Sequence, residues 1–113
     1  MTTAHHRIVS FYIGDDWVMT GTLFGNGSDN LDLTNAVIDW EMKDLNDAVI
    51  LDKTKATITV VDPVLGKIMI TVDEATSASV VAGAYRDVLR VTDASGFTDT
   101  LWVGSIVVKS GIV

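Results

Sequence analysis

The stretch "AVIDWEMK", Ala36–Lys43, alternates with a period of two: Ile38, Trp40 and Met42 fall on one face and Asp39, Glu41 and Lys43 on the other. Successive side chains of a β-strand point to opposite faces, so this segment is a half-buried antiparallel strand. The same alternation runs outward in both directions. Downstream, "ATITVVD" sets Ile58 and Val60 against Thr57, Thr59 and Val61, and "KIMITVD" sets Ile68, Ile70 and Val72 against Lys67, Met69, Thr71 and Asp73. The link "DPVLG", Asp62–Gly66, combines a proline that fixes φ with a glycine free to take positive φ, which makes these two strands a hairpin. "AVILDK" is a shorter strand after the "LND" turn.

Upstream, "RIVSFYI" and "WVMTGTLF" are two more strands joined through "GDD", with the turn-rich "GNGSDN" after them. "AYRDVLRVTD" and "TDTLWVGSIVVK" form a final hairpin around "ASGF", where Gly96 can take a left-handed conformation. In the last strand the apolar parity changes between Leu101/Val103 and Trp102/Ile106/Val108; a bulge or kink at Gly104 would reconcile the two sets, the alternative being a strand covered on both faces. Only "DEATSAS" offers a helical turn, capped by Asp73 and ending near Gly83. About eight short strands with turn signals roughly every 8 to 12 residues indicate an all-β, immunoglobulin-like antiparallel sandwich. Its expected core is Val9, Phe11, Ile13, Met19, Leu23, Ile38, Trp40, Ile58, Val60, Ile68, Ile70, Val72, Tyr85, Leu89, Val91, Ile106 and Val108.

The 113 residues, 48% apolar and 20% charged, suit one domain, 1–113. Segments 1–6 and 109–113 are expected to be tails, flexible or ordered by a partner. Fifteen acidic residues against 8 basic ones, with no basic cluster, give a net charge of −7 and disfavour nucleic acid as a partner. Cysteine is absent, which removes disulfides, thiolate nucleophiles and cysteine-ligated metals. No basic segment followed by an apolar run opens the chain, and no apolar run reaches the roughly 20 residues of a membrane helix. The expectation is a soluble protein made in the cytoplasm.

Catalytic and metal chemistry find little footing. His5 and His6, the only histidines, are adjacent in the first expected tail, so no base is available to a serine nucleophile and no metal ligand set is apparent. Carboxylates fall in three local groups, Asp15/Asp16, Asp29/Asp32 and Asp44/Asp47, where aspartate is a favoured turn residue in its own right, ahead of calcium ligation or paired-carboxylate chemistry on sugars. Asp87 shares the parity of Tyr85, Leu89 and Val91 and therefore turns inward, where it must have a partner. Either it sits at the rim of the sandwich against Arg86, Arg90 or a backbone N–H, or it makes a subunit contact. Trp17 and Trp102 are core or interface aromatics, with sugar stacking as the alternative. The expectation is a protein that is not an enzyme and holds no cofactor and no metal.

Four motifs in order resemble the small immunoglobulin-like modules of tailed-phage virion proteins, above all the N-terminal module of baseplate upper proteins and similar tail and head-fibre modules. They are Gly14, Asp15 and Trp17; Leu31 to Thr34 with Ala36; Ala82, Gly83, Tyr85, Leu89, Val91, Asp93 and Gly96; and Gly104, Ile106 and Val108. The resemblance implies a non-enzymatic virion structural protein in the baseplate, tail, neck or head-fibre attachment. It would act by contact with copies of itself and other virion proteins, with Trp17, Trp102 and Asp87 as candidate interface residues. The alternative is a carbohydrate-binding module for a host surface.

Overall fold

A computed structural model describes residues 5–24 and 31–110. Among them are eight strands and one helical turn: β1 His5–Tyr12, β2 Trp17–Thr22, β3 Val37–Lys43, β4 Val49–Asp52, β5 Thr57–Asp62, β6 Lys67–Val72, α1 Glu74–Ser77, β7 Gly83–Thr92 and β8 Thr98–Lys109. They form two sheets, a five-stranded one in the order β1-β8-β7-β3-β4 and a three-stranded one in the order β2-β6-β5. This is the immunoglobulin strand order, with β3, β7 and β8 as the C, F and G strands and β2, β6 and β5 as B, E and D. The sandwich is antiparallel as expected, save that β1 pairs with β8 in parallel at one edge.

The alternation of the sequence is the alternation of burial. In β6 Ile68, Ile70 and Val72 are buried, and in β7 Tyr85, Asp87, Leu89 and Val91 are. The core joins Trp40, Met42, Leu89, Trp102, Ile106 and Val108 of the larger sheet to Trp17, Met19, Ile68, Ile70 and Val72 of the smaller one. Val9, Phe11, Ile13, Ile38 and Ile58 are partly buried against it. Val60 departs from the expected core and is 38% exposed: it keeps register with Ile68 but lies near the turn end of β5, an edge strand of the smaller sheet. The bulge of β8 also lies elsewhere than expected. Leu89 pairs with Trp102 and Arg90 with Thr100, so the extra residue is Leu101 and not Gly104. Leu101 and Trp102 are thereby both buried, and from Trp102 onward the even positions face inward.

The turns carry their own fastenings. The "DPVLG" hairpin receives Leu23 N–H on Gly66 O at 2.8 Å and Leu33 N–H on Pro63 O at 2.7 Å, which ties the β2–β3 connection to the β5–β6 turn. At Gly66, φ is +69° and an added Cβ would lie 2.6 Å from Leu23 O and 2.7 Å from Leu31 O. Gly96 has φ +93° with nothing within 4 Å of that position. Gly66→Ala should therefore cost more than about 2 kcal/mol in chemical denaturation, since strain and clash add, whereas Gly96→Ala should cost about 1 kcal/mol from backbone strain alone.

Candidate functional site

Asp87 occupies the middle strand of the larger sheet and is 2% exposed. Its backbone neighbours are Met42 on β3 and Gly104 on β8, and the next inward residue, Leu89, is flanked by Trp40 and Trp102. The two indoles are thus diagonal neighbours of Asp87 on the same face, within reach of its carboxyl. Gly104 adds no side chain to that row. Trp40 Nε1–H and Trp102 Nε1–H each donate to Asp87 Oδ2 at 3.0 Å. Among the described residues no buried side-chain N or O lacks a partner. The expected rim position and arginine partner are corrected: Asp87 is central, and Arg86 points outward to Asp47 at 3.9 Å. An indole N–H can only donate, and burying two of them on one row calls for an acceptor between them.

Trp17 has no exposed surface; its ring stacks on Phe11 at 5.1 Å and 13°, and its Nε1–H donates to Tyr12 O at 2.9 Å. Trp102 is 3% exposed. All three expected interface side chains are core elements of this chain, and neither indole presents a face on which a sugar could stack. The physical reason is the pleat: each lies at an inward position of its strand, between the two sheets.

A second polar knot closes the corner between β1, β2 and α1. Ser77, fully buried, donates through Oγ to Asp15 O at 2.7 Å and accepts from Gly14 N–H at 3.1 Å. Asp16 Oδ1 accepts Glu74 N–H at 2.8 Å and Asp73 Oδ1 accepts Thr76 N–H at 2.8 Å, so both acids cap the helical turn, Asp73 as expected. They flank a surface cleft of about 280 Å³ that also carries Lys55, Thr57 and Thr71. The cleft offers one amine and two carboxyls already committed to backbone amides, with no nucleophile and base in contact.

The remaining acids of the expected groups are turn formers. Asp32 accepts Thr34 N–H and Oγ1–H, and Asp44 accepts the N–H of Asn46 and Ala48. Asp47 has φ +69° and lies 3.6 Å from Lys43 Nζ. Asp29 lies outside the described residues. His5 and His6 pair with Trp102 and Val103 as the first residues of β1, which corrects the expectation of a tail for those two residues, while 1–4 lie outside the described residues. Among the described residues no group of three or more His, Asp or Glu could hold a metal ion, and no helix is long and apolar enough to cross a membrane.

Four exposed acids have carboxyls held below the ordinary value of 3.8: Asp32, Asp52, Asp73 and Asp93, each first by the side-chain hydrogen bond of the hydroxyl residue that follows it, Thr34, Thr54, Thr76 and Ser95. Tyr85 is pushed above 10.0, first by burial and then by the charge of Asp44, while its hydroxyl donates to Val81 O.

No family model matches the chain, and no curated protein matches it. Among solved structures, CopC from Methylosinus trichosporium OB3b superposes with a TM-score of 0.50 at 11% identity, over 90% of this chain and 85% of that one. A chain from the structure of ICOS in complex with ICOS-L and an anti ICOS-L VNAR domain gives 0.49 at 7% identity, over 96% of this chain and 56% of that one. The chain has an immunoglobulin-like β-sandwich fold.

Asp87→Ala should cost about 3–5 kcal/mol, because two buried donors lose their acceptor, and Asp87→Asn clearly less, since an amide oxygen can still accept. Urea denaturation of both variants tests the ranking. A depressed carboxyl favours folding above its unfolded value and ceases to do so as pH falls through its folded value. The thermal midpoint should therefore be level above about pH 5 and decline as pH drops below 3.8, and Asp32→Asn with Asp93→Asn should flatten that decline.

Proposed function

We propose that this chain is a non-enzymatic structural module that works by protein–protein contact, as a component of a tailed-phage virion in the baseplate, tail, neck or head-fibre attachment. The observation that carries the proposal is the order of four motifs along the chain, from Gly14-Asp15 and Trp17 to Gly104, Ile106 and Val108. Two further features support it. The unusual polar side chains, Asp87 and Ser77, are spent on holding strands and corners together and not on presenting a reactive group. The surface, in turn, keeps large apolar side chains in view, with Ile8 70%, Phe97 64% and Val81 75% exposed. With the expected interface tryptophans inside, the contact surface of this reading moves to the strand edges and hairpin tips.

Quantitative mass spectrometry of purified particles tests it. The protein should be present in a fixed ratio to the major capsid protein, low and matched to a ring or vertex symmetry for a tail, neck or fibre role. Absence from intact particles would overturn the reading.

A further inference from the structure

One edge of the larger sheet is open in a way that specifies its occupant. Successive residues of a strand turn their N–H and C=O to opposite sides within the plane of the sheet. Ile13 N–H donates to Lys109 O at 3.0 Å across the β1–β8 ladder, so the odd residues of this strand address β8. Tyr12 O faces the other way, where it accepts Trp17 Nε1–H at 2.9 Å and Asp15 N–H at 3.3 Å. By the same parity, the backbone groups of Ile8 and Ser10 face the free side, where the sheet has no further strand among the described residues.

The usual protections of a sheet edge are few in β1, where Arg7 is the one charged residue. It is eight residues long, whereas the other edge strands β2, β5 and β4 have six, six and four. It contains no proline and its register with β8 runs unbroken from His5 to Tyr12, while β5 is irregular next to Pro63. Ile8 beside the edge is 70% exposed and Tyr12 47%.

We propose that β1 is a self-pairing edge: two copies of this chain join β1 to β1 antiparallel across a two-fold axis at Val9, fusing their larger sheets. This goes beyond the virion reading and does not rest on it. An antiparallel ladder is complementary to itself under such an axis, so one interface satisfies the open edges of both copies and closes. With the axis at Val9, Ile8 lies opposite Ser10 of the partner subunit and Ser10 opposite Ile8 of the partner subunit. Each pair exchanges N–H···O bonds in both directions. About that axis Arg7, the one charged residue of β1, falls opposite Phe11 of the partner subunit, so no like charges are brought directly opposite although each chain carries −7. The repulsion between the two bodies is long-range and screened by salt, so pairing should tighten as ionic strength rises.

The test is sedimentation equilibrium of the full chain up to about 1 mM, the range in which small interfaces assemble, with amide exchange followed by NMR. The expected result is a concentration-dependent dimer in which the Ile8 and Ser10 amides exchange at least about tenfold more slowly than in dilute protein. Ser10→Pro, which removes an N–H turned away from β8, and Ile8→Lys should each give a folded monomer. A chain monomeric throughout the range would overturn the proposal, as would a dimer in which those two amides exchange freely. A dimer that survives both substitutions would also overturn it.

Discussion

A carboxyl group between two indoles organises the larger sheet. Trp40 and Trp102 are buried with N–H groups that can only donate, and Asp87 Oδ2 accepts both at 3.0 Å. Because the three residues sit on three adjacent strands, the bonds require β3, β7 and β8 to keep one register, and a slip by one residue would turn Asp87 out of the core. The β8 bulge serves the same end. By absorbing Leu101 it brings Trp102 opposite Leu89, on the face from which its indole reaches Asp87.

The same cluster explains how the fold does without cysteine. In antibody domains a tyrosine near the start of the F strand bonds back to the chain a few residues upstream, and two residues later stands the second cysteine of the intersheet disulfide. Here Tyr85 at the start of β7 donates to Val81 O, and the residue two positions on is Asp87. The fastening at that position lies within one sheet and joins no thiols. Apolar packing of Trp17, Met19, Ile68 and Ile70 against Trp40, Leu89 and Ile106 then holds the two sheets together, and the arrangement is indifferent to the redox state of its surroundings.

Strand existence and facing were legible because burial follows a period of two, and "AVIDWEMK" or "KIMITVD" can be buried on only one face. The inward turn of Asp87 was legible for the same reason. Its partners were not, because which strands flank β7 is a matter of sheet order, and Trp40 and Trp102 lie 47 and 15 residues away from it. Residue type points to a bulge at Gly104, while the ladder puts it at Leu101, where only the pairing with β7 reveals it. The acid turns left a signal that spacing alone could have found. Asp32-Leu33-Thr34, Asp52-Lys53-Thr54 and Asp93-Ala94-Ser95 repeat one pattern, in which the acid accepts both the N–H and the hydroxyl two residues on. Recognising them assigns those acids to the scaffold.

The parallel pairing of β1 with β8 has a mechanical consequence. His5 lies beside Trp102 and Tyr12 beside Lys109, so the chain enters β1 at one end of the ladder and leaves β8 at the other. A pull on the two termini therefore runs along both strands in opposite senses and loads their hydrogen bonds together in shear, where an antiparallel terminal pair would open one bond at a time like a zipper. The module resists tension along the line joining its ends and yields most easily to a force that peels β1 sideways from the sheet.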